Sequence, residues 1–207
     1  QRQCDVPAPN VGFVAIAAGA DHSLGLKADG SIVPWGSNSY DKSIVPPPNT
    51  GFVAVAAGAG FSVGLRDDGS IVAWGHARQG QTNVPQPNTG FIAIAAGAGS
   101  GLGLKADGTI VGWGNNDFGQ RNVPPPNAGF VAIAAGDVHS LGLKSNGSIV
   151  AWGHDASGKT AIPAPNIDFV AIAAGVSHSM GLKRDGSIVV WGDDSLGQAN
   201  IPAHDCG

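Results

Sequence analysis

The sequence predicts an all-β protein, a β-propeller made of five repeats of 39 residues. The first observation is that FVAIAAG and close copies of it recur without insertion or deletion, starting at Phe13, Phe52, Phe91, Phe130 and Phe169. The second is that each unit holds three strand-like runs but is too short to bury a core alone, so neighbouring units must stack. The third is the spacing, since small antiparallel sheets repeated about every 40 residues are typical of propeller blades.

The three runs of one unit predict a three-stranded antiparallel meander. In the first unit they are FVAIAA, HSLGLK and SIVPWG, and the second run alternates Leu24 and Leu26 with small or polar residues, as a strand with one buried face does. Asp29-Gly30 separates the second run from the third, and such a dipeptide favours a hairpin with a type I′ turn. The proline-rich end of each unit is interpreted as a stiff connector, because proline cannot donate to a sheet ladder. A short fourth, outer strand around residues 82–85 is left open.

These units predict one domain that comprises residues 1–207. The blades are expected at residues 13–51, 52–90, 91–129, 130–168 and 169–207, with residues 1–12 as an N-terminal closing segment. The leader and the end of the chain both copy the proline connector, so they would compete for one place in a five-fold ring. We expect a monomer, while a linear array and a larger ring of two chains stay open.

The composition excludes several classes of partner. Charged residues make up 13% of the chain and the net charge of −4 comes without a basic patch, so nucleic acid is not an expected partner. No apolar run approaches the roughly 20 residues of a membrane-spanning helix, so a membrane is not expected either. No Cys, His or Asp spacing typical of zinc or calcium sites is present, and we expect neither a metal nor another cofactor.

Enzyme chemistry gets no support from the motifs. His22-Ser23, His139-Ser140 and His178-Ser179 are each adjacent in sequence. Neighbouring side chains on a strand point to opposite faces of the sheet, so these pairs cannot form a nucleophile with its base. The sequence predicts a protein without catalytic activity.

The two cysteines, Cys4 and Cys206, lie at opposite ends of the chain. A bond between them would close nearly the whole chain into a loop, which suits an oxidising compartment. The chain starts at Gln1 rather than Met, which is typical of a processed product. We therefore expect a disulfide and a secreted or periplasmic location, with two unrelated buried thiols as the alternative.

Each unit carries one tryptophan in the same place: Trp35, Trp74, Trp113, Trp152 and Trp191. Identical residues in identical places usually serve the repeat itself, so we expect these rings to be structural and to fill the space between blades, over the bare backbone of Gly25 and its equivalents. The alternative is that they line sugar-binding sites between blades.

The unit resembles a known repeat. Its pattern is A-A-G-x-x-H-S-L-x-L-x-x-D-G-x-(I/V)-x-x-W-G-x-N, and the third unit continues as WGNNDFGQ. This pattern is similar to the repeat of the regulator of chromosome condensation family and covers nearly the whole chain. The resemblance implies a β-propeller. The short period is similar to the bacterial secreted branch, which includes β-lactamase inhibitory protein II, and this implies a binding protein; the nucleotide-exchange role of the nuclear branch is not carried over.

The variable loops indicate where a partner would bind. The loops between the first and second strands and the loops after each Trp-Gly should emerge on one side, which we call the loop face, and they differ between units, whereas the other side is nearly constant. Binding residues are usually found on such loops. The candidates on this face are Asp21, His22, Tyr40, Phe61, His76, Arg78, Phe118, His139, His154, His178 and Asp193.

Two functions remain from these residues. The favoured one is a secreted propeller that binds a protein partner, such as an extracellular enzyme that it inhibits, because five unlike loops suit one asymmetric partner. The other is a lectin that binds a glycan between blades, which would favour identical polar and aromatic loop residues. For His22, His139 and His178, the alternative to a binding role is a structural hydrogen bond inside the blade.

Overall fold

The computed structural model describes residues 3–201, and it confirms the all-β propeller with five blades. Each blade is a separate antiparallel sheet of three strands in meander order. The strands are β1 Phe13–Ala18, β2 His22–Lys27, β3 Ile32–Gly36, β4 Phe52–Ala57, β5 Phe61–Arg66, β6 Ile71–Gly75, β7 Phe91–Ala96, β8 Ser100–Lys105, β9 Ile110–Gly114, β10 Phe130–Ala135, β11 His139–Lys144, β12 Ile149–Gly153, β13 Phe169–Ala174, β14 His178–Lys183 and β15 Ile188–Gly192. Blades 1 to 5 are these strands taken three at a time.

Other regular structure is sparse among the described residues. Two 3₁₀ segments of three residues, Ser39–Asp41 and Ala156–Gly158, follow the third strands of blades 1 and 4. The fourth, outer strand that was left open around residues 82–85 is not formed, since the sheet of blade 2 consists of β4, β5 and β6. No helix among residues 3–201 is long and apolar enough to cross a membrane.

The strand register places the apolar side chains on one side of each blade. In blade 1, Ala15 pairs with Leu26, and Leu26 in turn pairs with Ile32. The ladder of β1 and β2 is irregular between Phe13 and Ala15, as at a β-bulge. The same register and the same irregularity recur in the other four blades.

The hairpin between the second and third strands is confirmed, but the predicted turn type is wrong. In blade 1, Gly30 N donates to Lys27 O at 3.0 Å and Lys27 N donates to Ser31 O at 2.8 Å. Gly30 has a φ of +78°, while Asp29 does not have a positive φ. A type I′ turn requires positive φ at both central residues, so this is the three-residue loop in which a glycine follows a type I turn.

The core lies between blades. Leu24, Leu26 and Ile32 of blade 1 form one buried cluster with Phe52 and Trp74 of blade 2. Equivalent clusters join blade 2 to blade 3, blade 3 to blade 4 and blade 4 to blade 5. The tryptophans of blades 2 to 5 are therefore buried between blades as expected, whereas Trp35 in blade 1 is half-buried.

The prediction that the tryptophan ring lies over Gly25 and its equivalents is wrong, because a phenylalanine ring lies closest to them. A Cβ built on Gly25 would lie 2.3 Å from the Phe13 ring and 3.2 Å from the Trp35 ring. Phe52, Phe91, Phe130 and Phe169 lie equally close to the corresponding glycines of their own blades. The phenylalanine of the first strand therefore requires this glycine, and the tryptophan is left free to contact the preceding blade.

The proline connectors fasten each blade to the next. The side chain of Asn49 donates to Ile32 O and accepts from Ile32 N, both at 2.8 Å, and three later connectors repeat this pair of bonds. Trp74 Nε1 of blade 2 donates to Lys42 O at 2.9 Å. Residues 3–12 hold the same place at blade 1, where Trp35 Nε1 donates to Gln3 O at 2.7 Å.

The five blades surround one axis, but the first and last blades are not packed together. A cavity of about 320 Å³ is lined by the small residues that end the first strand of every blade, from Ala18 in blade 1 to Ala174 in blade 5. Within residues 3–201, the four apolar clusters join consecutive blades, and none joins blade 5 to blade 1.

Candidate functional site

The loop face is built from two loops of each blade that run side by side. In blade 1, Ser37 N after the third strand donates to Asp21 O, between the first two strands, at 2.8 Å. The same bond recurs in blades 2 to 5 at 2.8–2.9 Å. A rigid ladder of main-chain bonds therefore holds loops whose side chains differ, which is how scaffolds present binding residues.

A cavity of about 580 Å³ opens on the loop face across blades 1 to 4. Its lining combines two exposed aromatic rings, one histidine, three glutamines and three carboxylates, among them Asp21, Tyr40, His76, Gln81, Asp117, Phe118 and Asp137. The size is within the usual range of roughly 300–1,000 Å³ for binding cavities. This cavity is the candidate functional site.

Two aromatic–histidine pairs stand at the cavity. The ring centroid of Tyr40 in blade 1 lies 4.5 Å from that of His76 in blade 2, and Phe118 in blade 3 lies 4.6 Å from His154 in blade 4. Tyr40 is 60% exposed and Phe118 48% exposed. Exposed aromatic side chains that are held in place by neighbours are frequent anchors in protein interfaces.

The loops below these pairs are fixed by hydrogen bonds. Gln81 is buried and its Nε2 lies 3.0 Å from His76 Nδ1, while its Oε1 accepts from Gln79 N at 2.9 Å. In blade 4, Thr160 N donates to Asp155 Oδ1 at 2.8 Å, next to His154. The aromatic pairs therefore rest on loops with few degrees of freedom.

The accessible charge of the loop face is negative. Its acids are Asp21, Asp41, Asp117, Asp137, Asp155, Asp193 and Asp194, and its bases are Lys42, Arg78, Arg121 and Lys159. Lys42 and Lys159 are buried. Lys42 bonds the carboxylate of Asp21, and this hydrogen bond holds the pKa of Asp21 below its ordinary value. A partner with a basic surface would complement this face.

Three predicted binding residues do not reach the surface. His22, Phe61 and His139 are each at most 1% exposed. His22 Nε2 lies 2.8 Å from Ser62 Oγ of blade 2, and His139 Nε2 lies 2.8 Å from Ser179 Oγ of blade 5. The predicted exposure of these three side chains is wrong, and the alternative of a structural hydrogen bond holds for both histidines, although the bond joins two blades instead of staying inside one.

Burial also changes the titration of His139. Removal from water lowers the pKa of His139 to about 4, and the nearby positive charge of Lys159 acts in the same direction. The pKa of His22 is lowered for the same first reason. Both rings are therefore neutral at pH 7, as a core position requires.

The remaining predicted residues divide between the cavity and its edge. Asp21, Tyr40, His76 and Phe118 line the cavity, and His154 contacts Phe118. Arg78 is exposed beside it, while His178 and Asp193 lie in blade 5 and do not line the cavity. Sequence reasoning missed Gln81, Asn115, Asp117 and Asp137, although their places in the variable loops were visible.

Two further predictions concern metals and the disulfide. Among residues 3–201, no three His, Cys, Asp or Glu side chains are grouped so that they could hold a metal ion. Cys4 is exposed, and Cys206 lies outside the described residues. The pairing of Cys4 with Cys206 therefore stays a prediction.

One family model matches this chain, that of the regulator of chromosome condensation (RCC1) repeat. It matches residues 13–41, 52–81, 91–120, 130–159 and 169–198, which is more than half of the chain. The chain belongs to the RCC1 repeat family. No curated protein matches this RCC1-repeat chain significantly.

Solved structures share the fold of this RCC1-repeat chain. Prp20p from Saccharomyces cerevisiae superposes with a TM-score of 0.74 at 23% identity, covering 87% of this chain and 58% of Prp20p. The ectodomain of the receptor kinase CR4 from Physcomitrella patens gives a TM-score of 0.79 at 26% identity, covering 94% of this chain and 55% of CR4. The chain thus spans little more than half the length of these structures.

A third structure is similar over a larger share of its length. The CRINKLY ectodomain of the receptor kinase ACR4 from Arabidopsis thaliana gives a TM-score of 0.70 at 26% identity, covering 90% of this chain and 67% of the ectodomain. These similarities do not distinguish the branches of the family, so membership of the bacterial secreted branch stays a prediction.

Proposed function

We propose that this chain is a non-catalytic binding propeller that recognises a protein partner through its loop face. The observation that carries the proposal is the pair of exposed aromatic rings, Tyr40 and Phe118, each packed on a histidine of the next blade beside a cavity of about 580 Å³. Rigid aromatic anchors around a polar cavity suit a protein interface.

The partner we propose carries a basic surface, since the seven acids of the loop face outnumber its four bases, of which Lys42 is already paired with Asp21. Relatives support the class of partner without identifying it. Prp20p is described with binding to Gsp1p and histones, and it has also been solved in a complex with Kap60. A secreted enzyme that the chain would inhibit is the first partner to test, as the resemblance to the bacterial branch suggests.

Binding of sugars between blades is less favoured. That hypothesis needs accessible tryptophan rings, but Trp74, Trp113, Trp152 and Trp191 are each at most 6% exposed. Their Nε1 atoms already donate to main-chain carbonyl oxygens of the preceding loop at 2.9 Å. A sugar would have to separate two packed blades to reach them.

The test compares three immobilised proteins exposed to culture medium of the source organism. They are the wild type, Y40A/F118A on the loop face, and A28Q/A106Q at exposed turns of the opposite face. The wild type and A28Q/A106Q should retain the same proteins, with retention falling as salt increases, and Y40A/F118A should lose them. Retention that is unaffected by Y40A/F118A would contradict the proposed site. Glycan-array binding that free sugar elutes would establish the lectin instead.

We also propose that the protein is secreted or periplasmic and carries the Cys4–Cys206 disulfide. The support is the sequence position of the two cysteines. An intact mass that rises by two hydrogens after reduction of the protein isolated from its source would agree with the proposal, and an unchanged mass would contradict it.

A further inference from the structure

The loop after the third strand of blades 1 to 4 holds one buried polar side chain at the same position. These side chains are Lys42, Gln81, Gln120 and Lys159, each at most 4% exposed. Their main chains are held alike, because each carbonyl oxygen accepts from the tryptophan Nε1 of the next blade at 2.9 Å. The four side chains therefore start from equivalent places, and the partners of their polar ends can be compared.

In blades 1 to 3 the polar end has a partner within the chain. Lys42 Nζ bonds the carboxylate of Asp21. Gln81 Nε2 lies 3.0 Å from His76 Nδ1 in blade 2, and Gln120 is bonded within its own loop in blade 3. Such pairing is the rule for buried polar groups.

In blade 4 the polar end has no partner. Within residues 3–201, Lys159 Nζ forms neither a hydrogen bond nor an ion pair, although Lys159 is only 4% exposed. The Nδ1 atom of His154, in the same loop, is buried and also unpartnered. Asp155 lies nearby, but hydrogen bonds from Thr160 occupy its carboxylate and lower the pKa of Asp155. Two polar atoms are thus unpaired at positions that bond each other in blade 2.

Blade 1 shows which group fits these two positions. The hydrogen bond from Lys42 lowers the pKa of Asp21 most, and the side chain of Ser37 beside the same carboxylate acts in the same direction. The side chain of Asp21 is 25% exposed and that of Lys42 only 3%. The carboxylate therefore reaches the buried ammonium from the solvent side.

Blade 4 retains the two polar positions but lacks the acid. Lys159 and His154 stand three repeats after Lys42 and Ser37, and the position of the acid is taken by Val138. An ammonium that is removed from water without a counter-charge lowers stability. A carboxylate from outside the chain would restore the pair that blade 1 forms internally.

We propose that Lys159 and His154 bind a carboxylate of the partner, beside the place that the Asp21 carboxylate takes in blade 1. The carboxylate belongs to the protein that the loop face binds, so the proposal rests on the function proposed above and adds one acid to a basic partner surface. Lys159 Nζ donates to the carboxylate, and His154 donates in the tautomer that carries its proton on Nδ1. Val138 is half-buried and lines the loop-face cavity, so this site adjoins that cavity.

The test measures binding of sodium acetate to the purified protein at pH 7 by the NMR signals of the His154 ring, with sodium chloride at equal ionic strength as reference. K159Q removes the charge and keeps a side chain that blades 2, 3 and 5 carry at this position. V138D supplies the carboxylate from within, as in blade 1. K105Q makes the same lysine-to-glutamine change on the opposite face and is the matched control.

The His154 signals of the wild type and K105Q should shift to saturation with acetate and not with chloride. K159Q and V138D should each bind acetate at least roughly tenfold more weakly, because the first lacks the cation and the second fills its own site. A wild type that responds equally to acetate and chloride, or a V138D that binds acetate like the wild type, would overturn the proposal.

A second arm identifies the source of the carboxylate. K159Q should retain the proteins captured from culture medium at least roughly tenfold more weakly than K105Q does, and acetate should compete with them for the wild type. Equal retention by K159Q and K105Q, together with acetate binding, would assign the site to a free carboxylate and overturn its role toward a protein partner. The acetate arm needs no partner, so a failure to capture any protein would contradict the proposed function and leave the carboxylate site to be decided by acetate alone.

Discussion

At the scale of single residues, a buried polar group in one blade is matched by a partner in the next. His22 and His139 lie 2.8 Å from serine hydroxyls forty residues later, Ser62 and Ser179. Phe61 replaces the histidine in blade 2, and the residue forty positions after it is Gly101 instead of serine. The hydroxyl is thus absent where the ring has no nitrogen to bond it, which agrees with the high cost of an unpaired buried polar group.

The burial of His139 leads to a prediction about how the free energy of unfolding depends on pH. Because burial lowers the pKa of His139 to about 4, the unfolded chain takes up a proton below its ordinary pKa of about 6.5 while the folded chain does not. The free energy of unfolding should therefore fall as the pH is lowered from about 6.5 to about 4. H139F/S179G, which copies the pair Phe61 and Gly101, should show a smaller fall between pH 7 and pH 4.5 in urea melts.

The control for this prediction is S179G alone. It removes the hydroxyl partner but keeps the titrating ring, so it should retain the acid-induced loss while lowering stability at every pH. An equal pH dependence for H139F/S179G and the wild type would show that His139 does not contribute to the acid sensitivity.

The tryptophans give a second prediction at this scale. Trp113 is 1% exposed and its Nε1 donates to Gln81 O at 2.9 Å. W113A should lower the free energy of unfolding by about 3–5 kcal/mol, as aromatic truncations in cores do. W35A is the matched control, because Trp35 is only half-buried and belongs to none of the four apolar clusters between blades, and it should cost clearly less in urea melts of dilute protein. Equal losses would mean that Trp35 is covered in solution.

At the scale of the elements, each proline connector contacts the third strand of the preceding blade through one asparagine side chain. Asn127 bonds both main-chain polar groups of Ile110, each at 2.8 Å. These groups open the third strand, and without the amide they would lack their partners near the core. The proline segments therefore stabilise the blade that precedes them through asparagine, while the loop just before each segment carries the carbonyl that the next tryptophan bonds.

The corresponding prediction is that N127A lowers stability by about 1–3 kcal/mol, because two buried main-chain groups lose their bonds. N10A is the matched control. Asn10 holds the same place in the leader, but among residues 3–201 no third strand precedes it, so its loss should change thermal unfolding little. A similar effect of both substitutions would assign the contribution to the connector itself and not to the bonds with Ile110.

Much of the strand arrangement was predictable, because the same pattern occurs five times and determines the strands and their order. The turn type was not, since Asp29-Gly30 suits both a type I′ turn and a type I turn followed by glycine. A structural hydrogen bond of His22 was foreseen, but within its own blade, and the burial of Phe61 was missed, because both side chains pack against the next blade. The sequence held a signal for the burial of Phe61, because Gly101, forty residues later, replaces the serine that follows His22 and His139 at the same distance. The aromatic–histidine pairs could not be predicted, because Tyr40 and His76 meet only through the path of two irregular loops.

At the scale of the whole molecule, the residues that pack the blades together and the residues available for binding lie in different places. The positions that repeat most strictly fill the interfaces between blades, and the loop face, held by main-chain bonds, is left free to vary. The negative loop face and the apolar clusters between blades have different chemistry, so a partner bound to the loop face need not disturb the packing between blades.

The interfaces between blades also determine how stability is distributed along the chain. In a repeat protein the stability of a unit is roughly its own contribution plus that of its interfaces with neighbours. Within residues 3–201, apolar clusters give blades 2, 3 and 4 two such interfaces each and blades 1 and 5 one each. Amide hydrogen exchange in dilute protein should therefore be slowest in β7 to β9 and fastest in β1 to β3 and β13 to β15.

Five blades with equal protection in dilute protein would require a closed ring, in which the Phe13 and Trp35 rings cover Leu182 and Ile188 of the same chain. Hydrogen exchange thus separates an open arc of five blades from a closed one without knowledge of the partner.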